Sequence, residues 1–263
     1  MITSRTNEKV RYVRSLHRRQ VRHRERRFIV EGRRLIGEMN QTGQEPVFVF
    51  YTEELSASQL GQTLMEALGT SEGKVVAVSD EVMRAMSDTK TPQGILAVVT
   101  FPKLAPGQSP LMLVLDRVRD PGNLGTILRS AEAAGVVQVI TLKGSADVFS
   151  PKVVRAAMGA HFRLPILYDR EWGDIEGPME NRQVLVADSG GELPYYRVDW
   201  TQPTTLIVGG EARGPGTEAR QLATASVSVP MEGGVESLNV AVATSIMLFE
   251  AARQWGKVLA TRD

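Results

Sequence analysis

Six candidate strands in the second half of the chain, several of them near-continuous in Val, Ile and Leu at their centres, constrain its fold more than any other feature. They are LMLVLD (111–116), VQVITL (137–142), FRLPIL (162–167), QVLVAD (183–188), TTLIVG (204–209) and SVSVP (226–230). A strand wetted on one face alternates apolar with polar residues. Continuous runs need cover on both faces, which points to a parallel sheet. Segments of helical period fall between the runs, at 124–134, 151–158, 218–223 and 238–253, where crossover helices belong. The expectation is an α/β domain, a mostly parallel sheet with helices on both faces. Ligands of such sheets bind in loops beyond the carboxyl ends of the strands.

The segment FPKLAPGQSP (101–110), with three prolines and a glycine, is the strongest linker signal. It divides the chain into domains at 1–101 and 111–263, joined by 102–110. The first part opens with a basic helical arm. Phe28, Ile29 and Val30 then suggest a short strand or a helix entry. Strands are predicted at 46–52, 74–79 and 94–101, and helices at 60–68 and 80–86, with Asp80 near a cap. This reads as a small α/β domain.

Charge separates the two parts. Residues 1–34 hold twelve Lys or Arg against three acids, while the remainder holds 19 basic and 27 acidic residues. A concentrated basic segment on a mildly acidic body points to a polyanion, since each cation placed on a phosphate releases counterions. Arginine dominates, which suits bidentate phosphate contacts. The competing explanation is a solvated helix face. No cysteine is present, which excludes disulfides, thiolate zinc sites and cysteine nucleophiles, and three histidines make a histidine metal site a poor expectation. No apolar run approaches the ~20 residues that cross a bilayer. The charged N-terminus lacks the apolar segment of a signal peptide, so a cytoplasmic protein without membrane contact is expected.

Three strand-end loops carry unusual residues. In DPGNLGTILRSAEAAG (120–135) a turn becomes a helix with a core-facing stripe at Leu124, Ile127, Leu128, Ala131 and Ala134. Asn123 is placed to cap it, and Arg129 lies roughly 100° round from Leu128. LIVGGEARGPG (206–216) runs a buried strand into a glycine-rich loop with Glu211 and Arg213. VPMEGGVESLNVAVATSIMLFEAAR (229–253) follows a strand end and a Gly-Gly loop with Ser237, Leu238 and Asn239 at the mouth of a long apolar helix. Each has a plain explanation: a tight connection, Ser237 as an N-cap, Asn239 as a polar first-turn residue, Arg129 facing solvent, Glu211 and Arg213 as a surface pair. Three such ends in one parallel sheet argue for a site instead. The loops match no P-loop, G-x-G-x-x-G fingerprint or G-x-S-x-G elbow, and no glycosidase carboxylate pair is suggested.

NLGTILRSAEAAG, IVGGEARGPG and VPMEGGVESLNVAVA, in that order and spacing, resemble the three signature motifs of the SpoU/TrmH family of RNA ribose 2′-O-methyltransferases, in the SPOUT superfamily. The resemblance covers about 150 residues, 111–253, and VRAAMGAHFRLPI (154–166) resembles the family's connecting segment. The first part resembles, less sharply, the RNA-binding domain that precedes many such catalytic domains. The resemblance implies a C-terminal trefoil knot, a homodimer with the active site at or near its interface, and S-adenosylmethionine as cofactor with no metal. It implies that Gly209, Val229 and Leu238 line the cofactor pocket, and that Asn123, Arg129, Glu211, Ser237 and Asn239 form the reaction site. Ala212 and Arg213 stand where relatives often carry glycine, which leaves the role of Arg213 open.

The residue types suit the chemistry. A sulfonium activates the methyl group, so the protein must align donor and acceptor and handle one proton. Arg129 can stabilise the developing ribose alkoxide, though a guanidinium is a poor base. Glu211 is expected to orient Arg129 or a facing backbone donor, Asn239 to hold the third loop against the first, and Asn123 and Ser237 to fix loop geometry or RNA. Ribosomal RNA is the expected substrate, by analogy with the extra domain. The alternatives are transfer RNA, a non-catalytic RNA-binding assembly factor, and a nucleotide-dependent enzyme on an ordinary doubly wound sheet.

Overall fold

The computed structural model describes residues 1–69, 74–211, 214–233 and 236–256. They form two compact units, Met1–Lys103 with Phe149–Phe162, and Leu104–Val148 with the described residues from Arg163 onward.

The first unit runs α1 (Glu8–Ser15), α2 (Arg19–Glu25), β1 (Arg27–Glu31), α3 (Arg33–Gln41), β2 (Pro46–Tyr51), α4 (Glu53–Ala57), α5 (Gln59–Leu68), β3 (Val75–Ala77), α6 (Asp80–Met86) and β4 (Ile95–Thr100). Its sheet has the order β1-β4-β2-β3; β4 pairs antiparallel with both neighbours and β3 parallel with β2. Ser79 caps α6 by accepting from Val82 N–H, and Asp80 stands next to the cap as expected.

The basic segment expected as an arm is folded into this unit. Val10, Val13, Leu16 and Val21 lie at helical spacing and are buried with Ile29, Phe50 and Leu96. Arg22 is itself buried, and its Nη1 donates to the Leu16 and His17 carbonyls at 2.7 Å, closing the turn between α1 and α2. The remaining cations occupy the outer faces, with Arg11, Arg14, Arg18 and Arg19 exposed.

The second unit begins with β5 (Leu111–Asp116), α7 (Pro121–Ala133) and β6 (Gln138–Leu142). The chain then enters the first unit through α8 (Pro151–Ala157), which packs on β1. Phe149 stacks on Phe101 with centroids 3.6 Å apart, and Phe162 joins the same cluster through Phe28. The sequence boundary at 111 places this segment with the second domain; its aromatic residues instead complete the first core. This also explains why the strand expected at 162–167 starts later. Phe162 closes a buried turn, and β7 is Ile166–Arg170.

The second unit continues with α9 (Glu176–Met179), β8 (Gln183–Ala187), β9 (Leu193–Pro194), β10 (Thr204–Gly209), α10 (Thr217–Leu222), β11 (Ala225–Ser228) and α11 (Val240–Gln254). The sheet order is β7-β6-β5-β10-β8-β11-β9, and every adjacent pair is parallel. The central strands β5 and β10 are buried over their whole length, as their unbroken apolar runs require. On one face Met112, Val114, Ile140 and Ile207 pack with Ile175 and Ala219. Alternate residues such as Leu113 and Val208 serve the opposite face, where α11 packs on β10 and α7. Four neighbouring strands, β5, β10, β8 and β11, therefore end at one edge, at Asp116, Gly209, Ala187 and Ser228.

Candidate active site

The first loop at this edge is braced from below. Asp116, the last residue of β5, is 2% exposed, and its carboxylate accepts from Nε and Nη2 of Arg117 at 2.9 Å and from Gly216 N–H at 3.1 Å. Arg117 adopts a left-handed backbone, φ 58°, which an L residue keeps only when its surroundings hold it there. A Cβ on Gly210 would lie 2.2 Å from the Arg117 carbonyl oxygen. The glycine at 210 thus lets the β10 loop pass directly over the β5 loop.

After this turn α7 starts earlier than the sequence suggests. Asp120 is the N-cap, accepting from Asn123 N–H at 2.8 Å, and Pro121 supplies a preset φ for the first turn. Asn123 is not the cap, so its side chain is released for another task. Its Nδ2 donates to Glu211 Oε1 at 2.9 Å, and its Oδ1 accepts from Nδ2 of Asn239 at 3.0 Å.

The same carboxylate accepts from the backbone N–H groups of Asp120 (3.3 Å) and Arg119 (3.4 Å). Burial pushes the Glu211 carboxyl up. Hydrogen bonds from Asn123 and from the backbone N–H groups of Glu211, Arg119 and Asp120 outweigh burial and hold it below the usual carboxylate range. At the far end, Oδ1 of Asn239 caps α11 by accepting from Ala241 and Val242 N–H. Asn239, not Ser237, is the helix cap. A chain of hydrogen bonds, Glu211 to Asn123 to Asn239, thereby ties the β10 loop, the start of α7 and the start of α11 together.

Behind this chain lies a cavity of about 390 Å³, lined by Gly209, Gly210, Glu211, Val229, Leu238 and Asn239 among others. Val208, Ala243 and Met247 give it an apolar wall, and Asp188 at the end of β8 adds a carboxylate paired with Arg220. Gly209 is required by the chain itself: a Cβ there would lie 2.1 Å from Gly214 C and Pro215 N, where the loop folds back. Ser237 and Leu238 line the cavity from the α11 side, and both are exposed.

Arg129 stands apart from this cluster. It is exposed on α7, lines no part of the cavity, and makes no hydrogen bond or ion pair among the described residues. Its neighbour Ser130 faces α11 through a 2.8 Å hydrogen bond with Ser245. Glu211 is thus matched with the backbone donors rather than with Arg129. Arg213 lies outside the described residues. The sequence reading missed Asp116, Arg117 and Asp188, although each stands at or immediately after a strand end, where a parallel sheet puts its ligands.

Comparisons with known proteins bear on both units. A model of the SpoU rRNA Methylase family matches residues 110–249, and a model of the MRM3-like substrate binding domain matches residues 7–97. The zebrafish (Danio rerio) protein "rRNA methyltransferase 3A, mitochondrial" is 36% identical, covering 90% of this chain; the chain spans 66% of that relative. The Bacillus subtilis "23S rRNA (guanosine(2553)-2'-O)-methyltransferase RlmP" is 31% identical, over 94% of this chain and 97% of its own. Among solved structures, the SpoU methyltransferase AviRb of Streptomyces viridochromogenes, crystallised with AdoMet, superposes with a TM-score of 0.85. It is 29% identical and covers 94% of this chain and 98% of its own.

Proposed function

Because the chain belongs to the SpoU rRNA methylase family, we propose that it transfers a methyl group from S-adenosylmethionine to a ribose 2′-hydroxyl of ribosomal RNA. The observation that carries this reading is the hydrogen-bonded chain Glu211–Asn123–Asn239, which fixes three strand-end loops around one cavity. The residues present fit the cofactor. Gly209, Gly210, Val229 and Leu238 offer backbone groups, and Val208 and Met247 an apolar wall. When bound, S-adenosylmethionine supplies a methyl group already activated by its sulfonium.

What remains for the protein is alignment and charge. Glu211, held ionised by its donors, keeps the turn 119–123 in place, and Asn239 keeps α11 against it, so the pocket is preformed rather than assembled at each turnover. Arg129, outside the cavity and free of partners among the described residues, is suited to meet an acceptor that arrives from solvent. There it lowers the hydroxyl's pKa and stabilises the developing alkoxide, while the proton leaves to phosphate or water.

The family reading also includes a homodimer and a C-terminal knot. For the dimer, the support is one face of α11 where Val242 and Phe249 are 48% and 41% exposed beside half-buried Ile246. For the knot, it is the close approach of Gly210 to the Arg117 carbonyl and of Gly209 to Gly214 and Pro215. The first unit contacts the RNA, with the exposed cations of α1 and α2 as its electrostatic footprint.

The reading is tested by incubating the protein with S-adenosylmethionine labelled in the methyl group and unmodified ribosomal RNA, then mapping the label. The expected product is a 2′-O-methyl group on a discrete nucleotide. Label on a base, or none on any RNA, contradicts the proposal.

A further inference from the structure

We propose that the first unit carries a second RNA site, a cleft that takes one unpaired nucleotide other than the one methylated. This rests on the reading as an RNA methyltransferase and goes beyond it by assigning a place and a ligand. The cleft, about 220 Å³, lies among the β1–α3 turn, the β2–α4 turn, α6 and the segment 87–94. Arg33, Arg84 and Lys90 bring three cations to it, and Glu54 and Asp80 two carboxylates. Leu55 and Met83 close it from below, each 1% exposed, so the accessible surface of the cleft is largely polar.

The segment 87–94 is held in shape. Glu31, only 8% exposed, accepts from the hydroxyls of Ser87 and Thr89 and from Asp88 N–H. A carboxylate buried this far must be satisfied by donors, and here all three come from a surface turn. Arg155 holds Asp88 from the other side at 2.9 Å. Gln93 accepts from Arg33 N–H through Oε1 at 3.0 Å and from Arg33 Nε through its carbonyl at 3.2 Å. Gly94, at φ +77°, leaves no room for a Cβ beside Thr52 Oγ1, which would stand 2.7 Å away. Lys90 and Arg33 therefore sit on a frame fixed before any ligand arrives, which reduces the ordering cost of binding.

The mixture of charges narrows the ligand. Cations alone would mark a groove that tracks phosphates. Two carboxylates beside them oppose a bare polyanion, yet they match the amino and imino donors on a base edge. A nucleotide satisfies both, with its phosphate at Arg84 and Lys90 and an amino-bearing base edge at Glu54 and Asp80. That edge is accessible only when the base is unpaired.

The test uses the full chain and labelled 12-nucleotide RNAs of mixed sequence, single-stranded or annealed to their complements. The double variant Arg84→Gln/Lys90→Gln alters two exposed side chains that take no part in the frame. Its affinity for the single strand should fall about tenfold and its log–log salt slope flatten by about 0.7 unit, the increment for one phosphate on a single strand, with duplex binding within twofold of wild type. Glu54→Gln should reduce the preference for adenine- or cytosine-rich over uridine-rich 12-mers. Wild-type affinity and slope in the double variant, or equal losses on single strand and duplex, would overturn the cleft. Methyl transfer to ribosomal RNA is measured in parallel. A wild-type protein without it refutes the parent reading, whereas wild-type transfer with an unaltered RNA KM in the double variant refutes the cleft alone.

Discussion

In the second unit the polar residues around the cavity are bound to one another: Glu211 to Asn123, Asn123 to Asn239, Asn239 to the first turn of α11. In the first unit the Arg11 and Arg14 side chains project exposed from α1 with no hydrogen bond or ion pair among the described residues, as the proposed RNA footprint requires. The first arrangement stores precision, because moving one loop disturbs two others. The second stores reach, because each cation contributes independently to a field that salt screens. The two regions should accordingly respond to substitution in different ways.

The largest effect is expected where the backbone itself closes the site. Gly209→Val places a side chain where Gly214 and Pro215 already stand, 2.1 Å from the new Cβ. Calorimetry should find S-adenosylmethionine affinity lowered at least 100-fold while RNA affinity changes less than threefold. Equal losses for both ligands would erase the contrast between the units.

A smaller loss is expected within the hydrogen-bonded chain. Asn239→Asp keeps a side-chain oxygen for the α11 cap but removes the Nδ2–H that Asn123 accepts, and it faces a second oxygen toward that acceptor. Asn239→Ala also loses the cap, about 1 kcal/mol of helix stability. Both variants should bind S-adenosylmethionine about tenfold more weakly, and only the alanine variant should lose thermal stability. Combining Asn239→Asp with Asn123→Ala should cost little beyond either alone; additive losses would mean that the two side chains act separately.

Acid should act on the same chain, and gently. The Glu211 carboxyl is depressed, so its stabilising contribution is present above the ordinary glutamate value of 4.5 and is lost only as pH falls through the lower folded value. Cofactor affinity should therefore not depend on Glu211 between pH 6 and 8, a window far above that value, and should weaken only in stronger acid. Glu211→Gln should remove that acid limb. An acid limb that survives in the glutamine variant would assign the titration to another group.

The sequence showed the sheet clearly because an unbroken run such as LMLVLD has few other homes, and β5 and β10 span the residues expected. The hydrogen-bonded chain was half visible. Its members stood in the right loops, but Glu211 lies 88 residues from Asn123 and Asn239 116 from it, so no local pattern could pair them. The cap of α7 was legible and misread: Asp120 followed by Pro121 is itself a helix start, yet it also spells a turn. In and just after α1 the high charge obscured Val10, Val13 and Leu16, whose spacing was sufficient to predict a buried face. The allegiance of Phe149 and Phe162 was invisible, since an aromatic residue declares that it will be buried but not in which core.

The division of labour is tested most directly by single-turnover methyl transfer at increasing ribosomal RNA concentration, using wild type, Arg129→Ala and Arg11→Gln/Arg14→Gln. The arginine on α7 is expected to act in the transition state, so Arg129→Ala should lower the rate at saturating RNA by roughly 100-fold or more while both ligands still bind. The α1 variant should need more RNA to reach half-saturation, lose close to two units of salt slope, and attain the wild-type rate once saturated. An Arg129→Ala protein that methylates at the wild-type rate, or an α1 variant that stays slow at saturation, would contradict the account.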